Sequence, residues 1–404
     1  MSFGPTDRSA LTPVPGGVTA ARGFRAGGVA AGLKPSGKPD LALVVAEDTA
    51  GAAVVTTTNL VKAAPCVLTE RHAANGRARA VVVNAGNANA CTGDRGMDDA
   101  AATARQLSRL LECDLTEVLV LSTGIIGVPM PMATLSAGLP RVVDDLSPGG
   151  GGRAAGAITT TDTVVKEVAY EVRDEQGSCT IGGMAKGAGM IEPAMATMLA
   201  VITTDAPLTG AVLRPMLKQA VARTFNRISV DACGSTNDTV AVLAGGAATA
   251  PPGLAAFQVG LEAVCADLAR AIVEDGEGTS RVGVVTVAGA PSESDAERLA
   301  RAVCSSTLFR AALHGADPNW GRILAAMGSA GVLFDPSRVQ VRIAGVTVCR
   351  FGIATTFDAG QVGAAMQRDE VSIDVDLGMG DGRATLLTAD LTPQYVAENA
   401  YYTT

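Results

Sequence analysis

Short apolar runs recur along the chain, and each of them ends in polar or glycine-bearing residues. None is long enough for an ordinary helix, and they occupy 41–46, 52–58, 80–84, 118–121, 198–202, 228–231 and 239–243. Runs of this length and composition predict buried β-strands. We expect a short turn between the first two strands, and we expect the run at 198–202 to be a core strand.

Apolar residues three and four positions apart predict helices over 97–112, 209–225 and 254–274. The last pattern is the clearest, and its apolar face consists of Leu254, Phe257, Leu261, Val264, Leu268 and Ile272. A capping box at Ser294-Asp-Ala-Glu297 predicts a helix that ends at about residue 304. Apolar segments at 339–343 and 346–350 flank Ala344-Gly345, a pattern typical of a β-hairpin.

Strands and helices alternate without the strict period of a doubly wound sheet. The predicted fold class is therefore α+β, arranged as a layered α/β sandwich. The pattern changes near residue 280, which predicts a larger domain over 1–280 and a smaller C-terminal α/β domain over 281–404. The polar first 25 residues are expected to be a loose lead-in, and the glycine run at 147–152 a flexible surface connection.

Composition excludes several classes of partner. The chain has 404 residues, a net charge of −8 and only 3% aromatic residues, which argues against binding nucleic acid or anionic membranes. Its eight cysteines include no C-x-x-C pair, as expected of reduced residues in a cytoplasmic protein. No signal-peptide pattern and no uncharged run of about 18 residues occurs, so neither secretion nor membrane insertion is predicted.

Histidine is scarce, and this limits the chemistry. The chain contains only His72 and His314, so a Ser-His-Asp triad or a histidine-rich metal site would have to use one of them. No metal-binding motif occurs, and we expect no metal. A structural role for His314 is favoured over a catalytic one. The segment 32–38 resembles a phosphate-binding loop, but Pro39 stands where a Ser or Thr is required, which indicates a surface turn.

Thr159-Thr-Thr-Asp162 offers hydroxyls and a carboxylate but is weak by itself as a candidate site, and Thr159 leaves the register of Thr160 ambiguous. Three other short stretches are candidates. A glycine-containing loop that begins at Lys186 runs into Thr197, which directly precedes the strand at 198–202 and would be held rigidly beside a cleft. Thr123 and Gly124 follow the strand at 118–121, where a backbone N–H and a hydroxyl can form an oxyanion hole. Glu277 lies between two glycines after the long helix. A plain strand start, a turn and a solvated acid are the respective structural alternatives.

Five separated segments together resemble the ornithine acetyltransferase (glutamate N-acetyltransferase) family of arginine biosynthesis. They are 122–127, 184–199, 234–238, 275–278 and 317–322, and the tail at 395–404 also matches. The resemblance extends from about residue 15 to the C-terminus. It implies self-cleavage between Ala196 and Thr197, which gives the chains 1–196 and 197–404 and leaves the nucleophile at the start of a central strand.

Cleavage gives Thr197 a base of its own. The new α-amine has a reference pKa of about 7.7–8.0 and can accept the hydroxyl proton, as in other N-terminal threonine enzymes. The resemblance implies that Thr197 takes the acetyl group from N2-acetyl-L-ornithine and passes it to L-glutamate, which yields ornithine and N-acetylglutamate. It implies an oxyanion hole at Thr123 and Gly124. It also implies substrate contacts by Thr160, Lys186, Thr197, Glu277, Asn399 and Thr404.

The resemblance implies no cofactor, and it leaves open whether acetyl-CoA is a second donor. The two self-cleaved chains are expected to pair, and the pairs to form a homo-oligomer, a heterotetramer or larger. One alternative is an aminopeptidase or amidase with an N-terminal nucleophile, in which water replaces glutamate. Another is a non-enzymatic amino-acid-binding protein whose chain stays intact.

Overall fold

The computed structural model describes residues 3–192 and 198–401, which form two compact units with a sheet each. One unit contains the described residues up to 226 together with 234–272. The other contains Arg227–Cys233 and the described residues from Val273 onward. The units therefore change over between Ile272 and Val273 rather than at 280 and 281, and a short earlier segment belongs with the C-terminal unit.

Nine strands and six helices of the described chain belong to the N-terminal unit. The strands are β1 (Leu11–Pro13), β2 (Phe24–Val29), β3 (Leu41–Thr56), β4 (Arg77–Asn87), β5 (Val118–Ile125), β6 (Lys166–Arg173), β7 (Ser178–Lys186), β8 (Leu199–Thr204) and β10 (Thr239–Ala244). The helices are α1 (Ala64–His72), α2 (Gly93–Leu110), α3 (Met132–Asp144), α4 (Gly151–Ala157), α5 (Gly210–Arg223) and α6 (Leu254–Glu274), whose last residues enter the other unit.

The strand β8 lies in the middle of the N-terminal sheet. The order is β1-β6-β7-β8-β10-β3-β4-β5, with β2 paired to β3. β8 is antiparallel to β7 and parallel to β10, and all of its residues are buried. This confirms the core strand predicted over 198–202, and its neighbours on both sides fix the strand that follows Thr197.

Both faces of this sheet are covered, which explains the nearly continuous apolar runs. Alternate residues of β3 pack on opposite sides. Ala42, Val44 and Ala46 join a core with α4, whereas Leu41, Leu43 and Val45 join a core with α2 and α3. The predicted apolar face of α6 is also confirmed, since each of its residues except Leu254 is buried.

The C-terminal unit has a seven-stranded sheet in the order β14-β13-β12-β15-β11-β16-β9. Its strands are β9 (Ile228–Ser229), β11 (Val282–Ala290), β12 (Gln340–Ile343), β13 (Val346–Arg350), β14 (Ile353–Ala354), β15 (Glu370–Asp376) and β16 (Gly382–Ala389). Its helices are α7 (Glu293–Cys304), α8 (Thr307–His314), α9 (Trp320–Gly328), α10 (Ala359–Ala365) and α11 (Pro393–Tyr401). The predicted hairpin at Ala344-Gly345 joins β12 to β13, and both turn residues have positive φ.

The α+β class is confirmed, but four local predictions were wrong. The expected turn after residue 46 is part of the single long strand β3, which continues through a register shift between Val45 and Ala50. The lead-in contains β1, and Phe3 and Val18 are core residues. The cap of α7 is Ser292, whose side chain accepts from the Asp295 N–H, so the helix begins before Ser294.

The glycine run at 147–152 is not a flexible connection, since α4 begins within it. A β-carbon at Gly150 would overlap the Ala26 carbonyl oxygen, and one at Gly151 would lie 2.5 Å from the Gly16 carbonyl oxygen. These glycines permit close backbone contact between α4 and the segments beside it. Packing therefore overrides their low helix propensity.

Candidate active site

The residue after the predicted nucleophile is held firmly. Met198 is buried, its N–H donates to Asp238 Oδ1 at 2.8 Å, and its carbonyl accepts from the Thr239 N–H at 3.2 Å. Ala196 and Thr197 lie outside the described residues, so the cleavage site stays a prediction. Thr197 is bonded covalently to the Met198 nitrogen, and this peptide bond connects it to the start of β8.

Thr123 and Gly124 lie near the carboxyl end of β5, where its pairing with β4 becomes irregular. Gly124 has a φ of 130°, and a β-carbon there would overlap the Gly86 carbonyl carbon. Only glycine fits this position, and its backbone departs from the regular strand conformation. Thr123 is buried, and its Oγ1 lies 3.4 Å from the Lys186 ammonium nitrogen.

Asparagine side chains hold the backbone that precedes Thr123. Asn237 Nδ2 donates to the Ser122 carbonyl at 2.9 Å and to the Ala88 carbonyl at 2.6 Å. The Ser122 hydroxyl donates to Asn84 Oδ1 at 2.6 Å, and Asn84 Nδ2 donates to the Asn87 carbonyl at 2.8 Å. The ends of β4 and β5 are therefore fixed to the loop that contains Asn237.

A buried charge cluster lies beside Lys186. Lys166 Nζ and Asp162 Oδ1 are 2.7 Å apart, and neither side chain is exposed to solvent. Asp162 also accepts from the Gly187 N–H at 2.7 Å and from the Thr160 N–H at 2.9 Å. Burial acts to raise the pKa of Asp162, but the charges of Lys186 and Lys166 and the Gly187 N–H outweigh it and hold the pKa at about 2.

The adjacent residues Thr159 and Thr160, which follow α4, make different contacts. The Thr159 hydroxyl donates to the Gly156 carbonyl at 2.9 Å, at the end of α4. The Thr160 backbone is fixed by Asp162, and within the described part of the chain its hydroxyl makes no hydrogen bond. The binding role that the resemblance implies for Thr160 stays a prediction.

Glu277 and Asn399 meet within the C-terminal unit. Asn399 Nδ2 donates to Glu277 Oε2 at 2.9 Å and to the Tyr395 carbonyl at 3.1 Å. Thr392 Oγ1 donates to the Gly278 carbonyl at 2.7 Å, so α11 is held against the loop that contains Glu277. Thr404 lies outside the described residues, and its predicted role stays a prediction.

His314 forms a contact that looks like a triad but has the wrong geometry. Its Nδ1 lies 3.0 Å from Asp390 Oδ2 and 3.3 Å from the Ser280 hydroxyl, which itself donates to Asp390. A catalytic serine would bond the other ring nitrogen, Nε2. His72 is buried, and its Nδ1 lies 2.8 Å from the Val118 carbonyl oxygen. Both contacts fit structural roles for the histidines.

The loop that resembles a phosphate-binding motif already surrounds an anion of the protein. Asp40 is fully buried, and its carboxylate accepts from the backbone N–H groups of Ala31, Gly32, Leu33 and Lys34. Across residues 3–192 and 198–401, no group of potential ligands is arranged to hold a metal ion. Within the same ranges, no helix is long and apolar enough to span a membrane.

Sequence patterns missed the roles of Lys166 and Asn84, and they indicated Asp162 only within the weak candidate segment Thr159-Thr-Thr-Asp162. Lys166 and Asp162 are four residues apart, and their opposite charges were the available signal. Asn84 is the polar residue that ends an apolar strand run. Its contact with Ser122 depends on the pairing of β4 with β5, which no local pattern specifies.

Residues 25–404 match the sequence model of the ArgJ family. The chain is 47% identical over 397 residues to the arginine biosynthesis bifunctional protein ArgJ of Symbiobacterium thermophilum, covering 96% of this chain and 99% of that protein. It is 46% identical over 395 residues to the protein of that name from Mycobacterium tuberculosis, covering 96% of each.

A solved structure also matches this chain in sequence. The Mycobacterium tuberculosis ornithine acetyltransferase, solved in complex with ornithine, is 47% identical with a TM-score of 0.42, covering 45% of this chain and 98% of its own. The sequence matches over nearly the whole chain make this protein an acetyltransferase of arginine biosynthesis. It belongs to the ArgJ family, which confirms the resemblance carried by the five segments.

Proposed function

We propose that this enzyme moves the acetyl group of N2-acetyl-L-ornithine to L-glutamate through an acetyl ester on Thr197. One arrangement carries the proposal. Lys186 lies opposite Leu199 in the β7–β8 pair, and its ammonium lies 3.4 Å from the Thr123 hydroxyl. A carboxylate-binding cation and an oxyanion donor therefore meet beside the strand that begins two residues after Thr197.

Self-cleavage between Ala196 and Thr197 precedes the reaction in this proposal. The α-amine of Thr197 then accepts the proton of its own hydroxyl as Oγ attacks the acetyl carbonyl. The Thr123 hydroxyl and the Gly124 N–H stabilise the tetrahedral oxyanion, and each such donor typically contributes about 10²–10³ in rate. Collapse expels the ornithine amine, which takes the proton back.

The second half reverses these steps with a new acceptor. The glutamate amine attacks the acetyl ester, the same donors stabilise the oxyanion, and N-acetylglutamate leaves as Thr197 regains its proton. In this proposal Lys186 binds the α-carboxylate that both substrates share. Lys166, Lys186 and the ionised Asp162 together carry one excess positive charge, which favours binding an anionic group.

The remaining roles follow the family resemblance. Thr160, Glu277, Asn399 and Thr404 contact the substrate, and no cofactor takes part, although acetyl-CoA is a candidate second donor. The self-cleaved chains 1–196 and 197–404 pair, the pairs assemble further, and the protein acts in the cytoplasm.

Acceptor dependence tests the proposal. The purified protein is incubated with N-acetylornithine with and without glutamate, and ornithine and N-acetylglutamate are quantified. We expect sustained ornithine release only with glutamate, matched one for one by N-acetylglutamate. Ornithine release that is independent of glutamate would favour the hydrolase instead.

A further inference from the structure

A buried carboxylate holds the loop at 31–34 in one conformation. Asp40 is fully buried and lies directly before β3. Its two oxygens accept hydrogen bonds of 2.6–3.1 Å from four successive backbone N–H groups, those of Ala31, Gly32, Leu33 and Lys34. Successive N–H groups around one anion fix a loop firmly. No step of the proposed reaction involves this carboxylate, so its role lies elsewhere.

The main chain of Asp40 is joined to β4. Its backbone carbonyl accepts from the Ala85 N–H at 2.8 Å. Ala85 lies opposite Thr123 in the parallel pair of β4 and β5. The side chain of Asp40 therefore holds the loop, while its main chain holds the strand beside the predicted oxyanion hole.

The loop also contacts the next residue of β4 directly. A β-carbon at Gly86 would lie 3.0 Å from the Leu33 carbonyl oxygen and 3.3 Å from Lys34 Cγ. Gly86 has a φ of 111°, a conformation that is available mainly to glycine. It lies opposite Gly124, and a β-carbon at Gly124 would overlap the Gly86 carbonyl carbon. A movement of the loop would therefore be passed through Gly86 to Gly124.

We propose that Asp40 is a positioning residue for the oxyanion hole: it fixes the loop at 31–34 against Gly86, and Gly86 in turn fixes the direction of the Gly124 N–H. This inference rests on the proposed function, in which that N–H stabilises the oxyanion. Such a donor is effective only when it is preorganised. A displacement of about 1 Å can cost about 10²-fold in rate. Asp40 acts through the backbone and transfers no proton.

A purely electrostatic role for Asp40 would have different consequences. Burial lowers the pKa of the Lys34 ammonium, and the charges of Asp40, Asp162 and Lys186 also act on it. The charge of Asp40 could in this way affect the predicted carboxylate-binding lysine. Loss of that charge would alter substrate binding and therefore KM, whereas loss of positioning lowers kcat.

The variant Asp40→Asn tests the positioning role. It keeps the shape of the side chain but replaces one oxygen with an NH₂ group, which cannot accept from an N–H, so at least one backbone donor loses its partner. We expect kcat to fall about 10²-fold with little change in KM. Hydrogen exchange, measured by mass spectrometry, should become faster in peptides that cover 118–127 and stay at the wild-type rate over 199–204.

The matched control is Asp205→Asn. Asp205 is a buried carboxylate that directly follows β8, and it accepts from the Thr180 N–H at 2.7 Å. Its loss removes a comparable hydrogen bond between a buried carboxylate and the backbone. In this variant kcat, KM and the exchange rate over 118–127 should equal those of the wild type.

Gly86→Ala tests the same contact without changing a charge, and it decides the question if Asp40→Asn does not fold. We expect a similar fall in kcat at constant KM, with faster exchange over 118–127. Its control is Gly23→Ala. Gly23 also has a positive φ, 84°, but the nearest atom to a β-carbon there is Ala247 Cβ at an ordinary distance of 3.8 Å. Gly23→Ala should keep the wild-type kcat.

The outcomes separate this inference from the proposed function. The inference is overturned if Asp40→Asn and Gly86→Ala have the kcat of their controls, if kcat falls without faster exchange over 118–127, or if only KM changes. A wild-type protein that transfers no acetyl group refutes the proposed function. The exchange measurement then still tests the contact, and unchanged exchange over 118–127 in both variants overturns the positioning of Gly124.

Discussion

Lys166 and Asp162 form an ion pair that is completely shielded from solvent, with Nζ and Oδ1 2.7 Å apart. The same carboxylate accepts from the Gly187 N–H, in the residue after Lys186, and from the Thr160 N–H. One carboxylate thus holds the backbone at Thr160 and next to Lys186, two of the predicted substrate contacts. The site is built around a buried anion rather than around a histidine.

This ion pair predicts a loss of stability in acid. The folded pKa of Asp162, about 2, lies below its unfolded value of about 3.9, so the carboxylate contributes stability above the unfolded value. That contribution should disappear as the pH falls from about 4 through about 2. Urea unfolding of the wild type and of Asp162→Asn, measured between pH 7 and pH 3, tests this.

Asp162→Asn itself should lower the free energy of unfolding at pH 7 by about 3–5 kcal/mol, because it leaves a buried lysine uncompensated. The difference between the variant and the wild type should shrink toward low pH. The control is Asp145→Asn, which breaks a more exposed ion pair with Arg153. A difference that stays constant with pH would contradict the account of Asp162.

Gly124→Ala should lower the rate of acetyl transfer strongly without abolishing it. The added β-carbon would overlap the Gly86 carbonyl carbon, and either β4 or the Gly124 peptide would have to move. A displaced oxyanion donor costs about 10²–10³ in kcat. Steady-state kinetics with N-acetylornithine and glutamate measure the loss.

The control for this prediction is Gly127→Ala. Gly127 also has a positive φ, 81°, but a β-carbon there meets no atom within 4 Å. Alanine at position 127 would therefore have the conformational cost of a positive φ without the steric overlap. Equal losses of kcat in the two variants would show that the close contact at Gly124 is not what matters.

Much of this architecture is predictable from local pattern. The run at 198–202 is recognisable because β8 is buried on both faces, and the face of α6 follows from its spacing. The helix at 151–157 is not predictable, since glycine disfavours helices and only contact with Ala26 and Gly16 explains it. The prediction of a turn after residue 46 was wrong for a related reason. Pairing within the sheet keeps the polar segment of β3 extended through a β-bulge.

The residues of the site likewise divide into those that local sequence patterns predict and those whose contacts depend on the packed structure. Thr123, Gly124 and Lys186 come from motifs that a sequence displays directly. The hydrogen bond from the Met198 N–H to Asp238 Oδ1, by contrast, is a property of the packed structure. Residues that orient other residues have no local signature.

Asn399→Ala should raise KM with a small effect on kcat. Asn399 is exposed, and it links α11 to the Glu277 carboxylate at 2.9 Å, so its loss should weaken substrate binding rather than chemistry. Kinetics at varied N-acetylornithine and glutamate test this. Gln394→Ala is the control. Within the described tail the Gln394 side chain donates to Glu398 of the same helix, and the KM of this variant should be unchanged. A large fall in kcat at constant KM would contradict a binding role for Asn399.

The central claim is that Thr197 becomes an N-terminal nucleophile, and intact mass spectrometry of the denatured protein tests it most directly. The wild type should give two chains, 1–196 and 197–404, and Thr197→Ala should give a single chain of 404 residues. After incubation with N-acetylornithine alone and an acid quench, the 197–404 chain should be heavier by one acetyl group. A wild-type protein that stays intact, or an acetyl group found on the 1–196 chain, would contradict the account.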